Sequence, residues 1–290
     1  MSTQRAFREL TKPRLSMLAA LSAVAGFFCA PPSEPWSGMT LVALSIGTGL
    51  AAGACGALNQ WMERLPDAQM QRTASRPLPT GQLTPRAALI FGIVLLIGGL
   101  GMIARWTNPT ALALTAATVL SYLFLYTPLK ARTQWCTVIG SLPGALPVLI
   151  GSAARSTNGT PDAMGWALFA ILFCWQVPHF MGLAVLWKDD YARGGFRIAT
   201  VVDPSGESAA RQSTFFLILL LIASAIPVIL APDDLRAYGV IAALLGAWYL
   251  RLGIAFRDKA QRAHVARRFF LFSLLYLSVL LLALVLDRIF

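Results

Sequence analysis

The stretch Asn59 to Pro77, N-Q-W-M-E-R-L-P-D-A-Q-M-Q-R-T-A-S-R-P, concentrates acid, amide and guanidinium groups between two hydrophobic spans. Asn59, Glu63 and Asp67 are four residues apart, so on a continuous helix they drift by only about 40° per step and share one face. Arg72 and Arg76 repeat the spacing. A row of oxygen ligands followed by two arginines suits a polyanion arriving with its own divalent metal, such as a Mg²⁺-diphosphate. In that reading Asn59, Glu63 and Asp67 hold the metal, and Arg72 and Arg76 meet the phosphate oxygens. Pro66 cannot donate to the carbonyl of Met62, so the three ligands are expected to converge across a bent helix end. The plain alternative is a cytoplasmic loop of solvated ion pairs such as Glu63–Arg64.

Other groups invite the same question. In Lys188-Asp189-Asp190-Tyr191-Ala192-Arg193-Gly194-Gly195-Phe196-Arg197, two adjacent carboxylates cannot share a helical face, so at most one of Asp189 and Asp190 addresses the same metal. Lys188 and Arg193 suit the oxygens of a diphosphate or of a carboxylate. Lys130 and Arg132 follow a Thr-Pro helix stop and serve either a phosphate or the positive-inside rule. Tyr122 and Tyr126 stand one turn apart, and Tyr122 offers either an aromatic face for a cation or an ordinary interfacial tyrosine. His179, beside Pro178 near the end of a span, is costly there if charged and unsatisfied; it is expected to be neutral and hydrogen-bonded. His264 reads as solvated in a basic loop. Cys29, Cys55, Cys136 and Cys174 are dispersed and read as small apolar fillers.

The elements that position these groups are membrane helices. The chain has 290 residues, of which 57% are apolar and 13% charged, so most of its length cannot face water. Nine apolar stretches of spanning length run at roughly 15–31, 39–57, 87–104, 109–126, 137–153, 163–183, 213–231, 237–255 and 269–286. Their unbroken apolar character indicates helices rather than barrel strands. All but four of the 24 Lys and Arg residues, the four being Arg105, Arg155, Arg236 and Arg288, fall on one side. The positive-inside rule puts that side, the amino terminus and the Asn59–Pro77 loop in the cytoplasm. The net charge of +11 follows from these loops and from anionic lipid headgroups; no water-soluble basic module for nucleic acid is visible. The first fourteen residues carry neither a cleavable signal nor a presequence, which favours a bacterial cytoplasmic membrane.

Connections on the outer side, Pro31 to Gly38, Trp106 to Asn108, Arg155 to Asp162 and Pro232 to Arg236, are short. Two long cytoplasmic loops, about 58–86 and 184–212, lie four spans apart. That spacing suggests two similar four-helix units with a ninth span appended. Long loops confined to one face carry function. The expectation is a single all-α domain over residues 1–290, with nine transmembrane helices around a central lipid-accessible cavity, a cytoplasmic N-terminus and the site on the cytoplasmic loops.

The pattern N-x-x-x-[DE]-x-x-x-D followed by R-T-x-x-R-P, on Asn59, Glu63, Asp67, Arg72, Thr73, Arg76 and Pro77, resembles the signature of the intramembrane UbiA-type prenyltransferase superfamily. The resemblance implies Mg²⁺-diphosphate binding by the Asn and acids. Thr11-Lys12-Pro13-Arg14, Tyr126 to Thr133, Trp175-Gln176-Val177-Pro178-His179-Phe180, and Ala266-Arg267 leading into Phe272-Ser273 and Tyr276-Leu277 look like the protohaem IX farnesyltransferase (haem O synthase) branch, and the P-H-F box separates it from quinone prenyltransferases. Membership implies farnesyl diphosphate and haem b as substrates, haem O as product, Mg²⁺ as cofactor, and a haem A synthase as a possible downstream partner. It also implies Asp190 and Tyr191 as the family's D-Y pair, Lys130 and Arg132 on the diphosphate, Arg14 and Arg193 as candidates for the haem propionates, and His179 in contact with haem, through iron or through hydrogen bonding near the macrocycle. Gly195 to Thr200 departs from the family's G-[IV]-P-M-L-P-like run by losing the prolines and adding Arg197.

Two further readings remain at this point. One is a quinone-pathway or other aromatic prenyltransferase on the same scaffold. The other is a transporter of an anionic amphiphile, which gives no reason for an Asn/Glu/Asp ladder.

Overall fold

A computed structural model of the chain describes residues 3–30 and 36–289. Its elements are α1 (Thr3–Leu10), α2 (Pro13–Cys29), α3 (Gly38–Met62), α4 (Arg64–Gln69), α5 (Pro85–Trp106), α6 (Pro109–Leu120), a π-helical segment (Ser121–Tyr126), α7 (Thr127–Leu129), α8 (Cys136–Arg155), α9 (Ala163–Leu186), α10 (Lys188–Arg193), α11 (Ala199–Val202), α12 (Glu207–Leu230), α13 (Arg236–Arg257) and α14 (Arg262–Ile289). No strand occurs among the described residues.

Eight helices among these residues are long and apolar enough to cross a membrane, counting Pro109–Leu129 as one rod. The ninth expected span is α2, whose 17 residues reach the lower limit of a spanning helix. The protein is therefore an all-helical, multi-pass membrane protein, as the hydropathy pattern predicted. The expected outer connection from Pro31 to Gly38 lies largely outside the described residues.

Local sequence sets the helix starts. Thr84, Asn108 and Asp162 accept hydrogen bonds from the N–H groups of Ala87, Ala111, and Met164 and Gly165, respectively. Pro85 and Pro109 occupy first-turn positions that need no donor. The two halves meet through the first helix of each expected unit, α2 and α8. A Cβ on Gly26 would lie 2.0 Å from the carbonyl oxygen of Val148, and one on Gly151 would lie 1.8 Å from that of Ala23. Only glycine permits this backbone approach. α3 packs on α5 in the first half as α9 packs on α12 in the second, and α14 closes against α9, α13 and α2. The long loops follow α3 and α9, the corresponding helices of the two units.

The four cysteines are buried and free, in agreement with their reading as fillers. An apolar cavity of about 550 Å³ lies between α12 and α13, where Leu221, Val228, Gly239 and Leu250 line it. It is remote from the charged loops.

Candidate active site

The acidic row begins inside α3 and ends outside it. Asn59 is a residue of the helix, Glu63 is its C-cap with φ −95° and ψ 13°, and Asp67 sits in the short α4. The break falls at Glu63, three residues ahead of Pro66, which occupies the first turn of α4 where a missing N–H is tolerated. Hydrogen bonds from Glu63 N to Asn59 O (2.9 Å) and from Asp67 N to Glu63 O (2.8 Å) nevertheless continue the four-residue step. The row thus crosses a bend at the helix end. All three are buried.

Each takes a cation from a different part of the chain. Lys12 Nζ donates to Asn59 Oδ1 at 2.8 Å. Lys130 Nζ forms an ion pair with Glu63 Oε1 at 2.5 Å. Arg76 donates to Asp67 Oδ2 at 2.6 Å. The other oxygen of Asp67, Oδ1, is buried without a hydrogen-bond partner. A buried orphan carboxylate oxygen is costly unless a ligand completes it, and a row of hard oxygens fits a hard divalent cation.

Lys12 was legible in the sequence as part of the one-sided basic charge and of the Thr11-Lys12-Pro13-Arg14 box, with no role at the acidic row; the structure places it there in a defined turn. It precedes Pro13, which disfavours the right-handed helical region for the residue before it; here Lys12 adopts φ 47° and ψ 59°, the sole non-glycine positive φ among the described residues. The turn is pinned by Ser16 Oγ to Thr11 O at 2.6 Å, and Gln60 Nε2 ties the end of α1 to α3 through Leu10 O at 3.0 Å. Burial, reinforced by the charges of Arg76 and Lys130 and opposed by those of Glu63 and Asp67, lowers the Lys12 pKa to about 7.

The π-helical segment Ser121–Tyr126 delivers the next contacts. Thr127 Oγ1 donates to Tyr122 O at 2.9 Å and accepts from Asn59 Nδ2 at 3.3 Å, orienting the Asn59 amide so that Oδ1 faces Lys12. π-bulges are frequent at functional sites. Lys130 lies over the rings of Tyr126 (4.9 Å) and Phe196 (5.4 Å). Tyr122 and Tyr126 pack together at 5.5 Å between centroids.

The second loop joins the first through Asp190. Its Oδ1 accepts from the N–H of Gln71 (2.7 Å) and from Arg193 (2.5 Å), and its Oδ2 accepts from the N–H of Arg72 (3.1 Å). Burial acts to raise the Asp190 pKa, but the hydrogen bonds from Arg193, Arg72 and Gln71 together outweigh it and hold the carboxyl below its ordinary value. Both oxygens are engaged in tying the loops together. Arg72 is exposed, with its guanidinium 5.6 Å from the Tyr191 ring centroid.

Gly195 takes φ 73°, Phe196 is buried against Tyr191, and the N–H of Arg197 donates to Lys130 O at 2.7 Å. The atypical run is therefore an ordered strap that holds the backbone of Lys130. Four other candidates lie apart from the row. Arg14 and Arg132 are exposed and form no ion pair with it, Lys188 donates to Pro204 O at 2.9 Å, and Arg193 reaches the row only through Asp190.

Residues 19–275 match the UbiA prenyltransferase family. The chain belongs to this family. Curated relatives include the protoheme IX farnesyltransferase of Opitutus terrae, 43% identical over 98% of this chain and 95% of that protein, and the protoheme IX farnesyltransferase of Solibacter usitatus, 43% identical over 98% and 99%. That of Salinibacter ruber is 42% identical over 96% of both chains. Among solved structures, one from work on digeranylgeranylglyceryl phosphate synthase superposes with a TM-score of 0.81 at 18% identity over 100% of this chain and 99% of that one. A UbiA homolog from Archaeoglobus fulgidus bound to DMAPP and Mg²⁺ gives 0.68 at 17% identity over 96% and 100%. At these identities the superpositions establish the fold, including the bundle that brings the two loops together.

In this UbiA-family chain the W-Q-V-P-H-F box occupies α9, with His179 half-buried between aromatic rings. Its imidazole stacks on Trp175 (4.4 Å, 21°) and leans on Phe270 (4.8 Å, 32°). Nδ1 is 2.7 Å from Ser273 Oγ, so the histidine is hydrogen-bonded as expected. The next residue, Phe180, packs on Tyr191 at 5.9 Å, linking the box to the second loop.

Proposed function

We propose that the chain transfers a farnesyl group from farnesyl diphosphate to a vinyl group of haem b, with addition of water, giving haem O and diphosphate. The observation that carries the donor half is the convergence of Asn59, Glu63 and Asp67, each matched with a cation, from Lys12, Lys130 and Arg76. The acceptor half is supported by the named relatives and by the aromatic cradle of His179.

Asn59, Glu63 and Asp67 would hold Mg²⁺, with Asp190 able to join only by releasing the loop it ties. The metal's chemistry is to neutralise diphosphate charge and favour its departure. As the farnesyl C–O bond breaks, its electron pair leaves on the diphosphate, and Lys12, Arg76 and Lys130, released from their carboxylate and amide partners, offset the growing negative charge. Arg72 extends that group from the exposed side, as would Arg132 after a change in its loop. Tyr122 and Tyr126 present ring faces suited to the allylic cation. The vinyl carbon attacks the cation, water adds to the resulting porphyrin-stabilised carbocation, and one proton is lost. Propionates are assigned to rim cations, with Arg14, Lys188 and Arg193 as candidates.

This reading treats residues 1–290 as one domain whose site is built by loops 58–86 and 184–212, around a lipid-accessible cavity, in a bacterial cytoplasmic membrane with the site facing the cytoplasm. A haem A synthase is the fitting consumer of the product. Incubating membranes with haem b, farnesyl diphosphate and Mg²⁺ should yield a porphyrin heavier by one farnesyl and one hydroxyl. Prenylation of a hydroxybenzoate or naphthoate with haem unchanged would overturn the acceptor.

A further inference from the structure

His179 is one of the two histidines in the chain, and the proton on its ring can be located from its neighbours. Ser273 Oγ lies 2.5 Å from the carbonyl oxygen of Phe270. A carbonyl only accepts, so at that distance the single hydroxyl proton of Ser273 must lie between them. The same Oγ is 2.7 Å from His179 Nδ1. With its proton already committed, Ser273 can only accept there, and Nδ1 must be the donor. A neutral imidazole has one N–H, so Nε2 carries the lone pair. Among the described residues Nε2 has no hydrogen-bond partner.

The arrangement is braced on three sides. Trp175 Nε1 donates to the backbone carbonyl of Ser273 at 2.7 Å, so α9 grips α14 at the very residue whose hydroxyl faces the histidine. Trp175 and Phe270 stack against the imidazole and limit its rotation. A histidine satisfied merely for burial has no need of a ring held in one plane and one tautomer. This is the construction found behind metal-ligating histidines, whose far nitrogen is fixed by a hydrogen bond to an oxygen.

We infer that Ser273 is a positioning residue that locks His179 in its Nδ1–H tautomer and presents Nε2 as the axial ligand to the iron of the bound haem substrate. The inference rests on haem b being the acceptor. Ligation would fix the height and tilt of the macrocycle and thereby place its vinyl edge relative to the diphosphate loops; the iron keeps its oxidation state.

The test is haem b titration of the purified full chain in nanodiscs, followed by resonance Raman spectroscopy of the ferrous complex. Wild type should show an iron–histidine stretch. H179A should lack it and regain an iron–nitrogen band when imidazole is added. S273A should bind haem about 10-fold more weakly, with the band shifted to lower frequency because Nδ1–H has lost its acceptor, and S273T, which keeps the hydroxyl, should restore both. Retained binding of Mg²⁺ and farnesyl diphosphate reports that each variant is folded. A wild-type band and affinity in S273A, or in S273C should S273A not fold, would remove Ser273 from the role. An unchanged iron–histidine band in H179A would remove His179. Failure of the wild type to bind haem at all, with prenylation of another acceptor, would instead overturn the haem reading beneath the inference.

Discussion

Lys12 and Asn59, 47 positions apart, meet at 2.8 Å across the junction of α1, α2 and α3. The contact depends on a left-handed backbone at Lys12, in a turn closed by the hydrogen bond from Ser16 Oγ to Thr11 O. A lysine confined in this way, at the head of an acidic row, is placed to meet the diphosphate. Lys12→Met, which keeps the length of the side chain and removes its charge, should lower kcat/KM for farnesyl diphosphate about 100-fold, the usual cost of losing one donor to developing negative charge. Steady-state kinetics on membranes normalised for protein content checks this, and near wild-type turnover would leave Lys12 a topological charge.

The same residue predicts a pH signature in Mg²⁺-free protein. With its pKa lowered to about 7, Lys12 in the folded state releases its proton at a pH where the unfolded chain still holds one. Folding stability should therefore rise with pH between about 7 and 10.5. Amine-selective labelling read by mass spectrometry should show Lys12 half-titrated near pH 7. A half-point near 10 would contradict the burial argument.

Asp67 holds Arg76 through Oδ2 and leaves Oδ1 buried and unmatched. Asp67→Asn keeps the size of the side chain but withdraws the charge that both Arg76 and a divalent cation require. Loss of Mg²⁺-dependent pyrophosphate release by at least about 100-fold is expected. Arg76→Lys should retain part of the activity, since charge is kept while the planar fork is lost. Equal Mg²⁺ dependence in Asp67→Asn and wild type would exclude Asp67 as a ligand.

Asp190 separates two roles that the sequence had merged. Adjacent carboxylates in a loop announced a possible second metal ligand; the folded chain gives Asp190 three donors from Gln71, Arg72 and Arg193. Asp190→Ala removes the shared acceptor of the Gln71 and Arg72 backbone N–H groups and frees the first loop from the second. Hydrogen exchange at residues 70–74 should accelerate, and KM for farnesyl diphosphate should rise more than kcat falls. Weakened Mg²⁺ binding with unchanged exchange would identify a metal ligand instead.

Why Asp190 was only half legible has a physical basis. The nine apolar stretches and the one-sided basic charge are consequences of the bilayer alone, so composition and order suffice to read them. The row Asn59, Glu63, Asp67 is local and follows from helical spacing. Arg76 is nine positions from Asp67, but Lys12 and Thr127 reach Asn59 from 47 and 68 positions away, and Asp190 reaches Gln71 from 119; only packing decides these distant contacts. Arg132 had the same credentials as Lys130 in the sequence, and Arg14, not Lys12, was the named candidate at the amino-terminal box. The π-helical register and the turn before Pro13 chose between them.

Two glycines permit a test of packing against chemistry. A Cβ on Gly26 would meet the backbone oxygen of Val148 at 2.0 Å, with no side chain able to yield, so Gly26→Ala should destabilise the whole bundle by about 1–3 kcal/mol or more. A Cβ on Gly144 meets the side chain of Gln176 instead, 1.9 Å from its Oε1. Gln176 can rotate away, at the loss of its bonds to Ser141 O (3.1 Å) and Leu172 O (3.0 Å), about 1 kcal/mol apiece. Because Gln176 lies in the box that carries His179, Gly144→Ala should impair haem binding more than binding of farnesyl diphosphate, while Gly26→Ala lowers both with the melting temperature. Thermal melts in detergent beside the two binding assays separate the cases; parallel losses in Gly144→Ala would mean that Gln176 supports the fold alone.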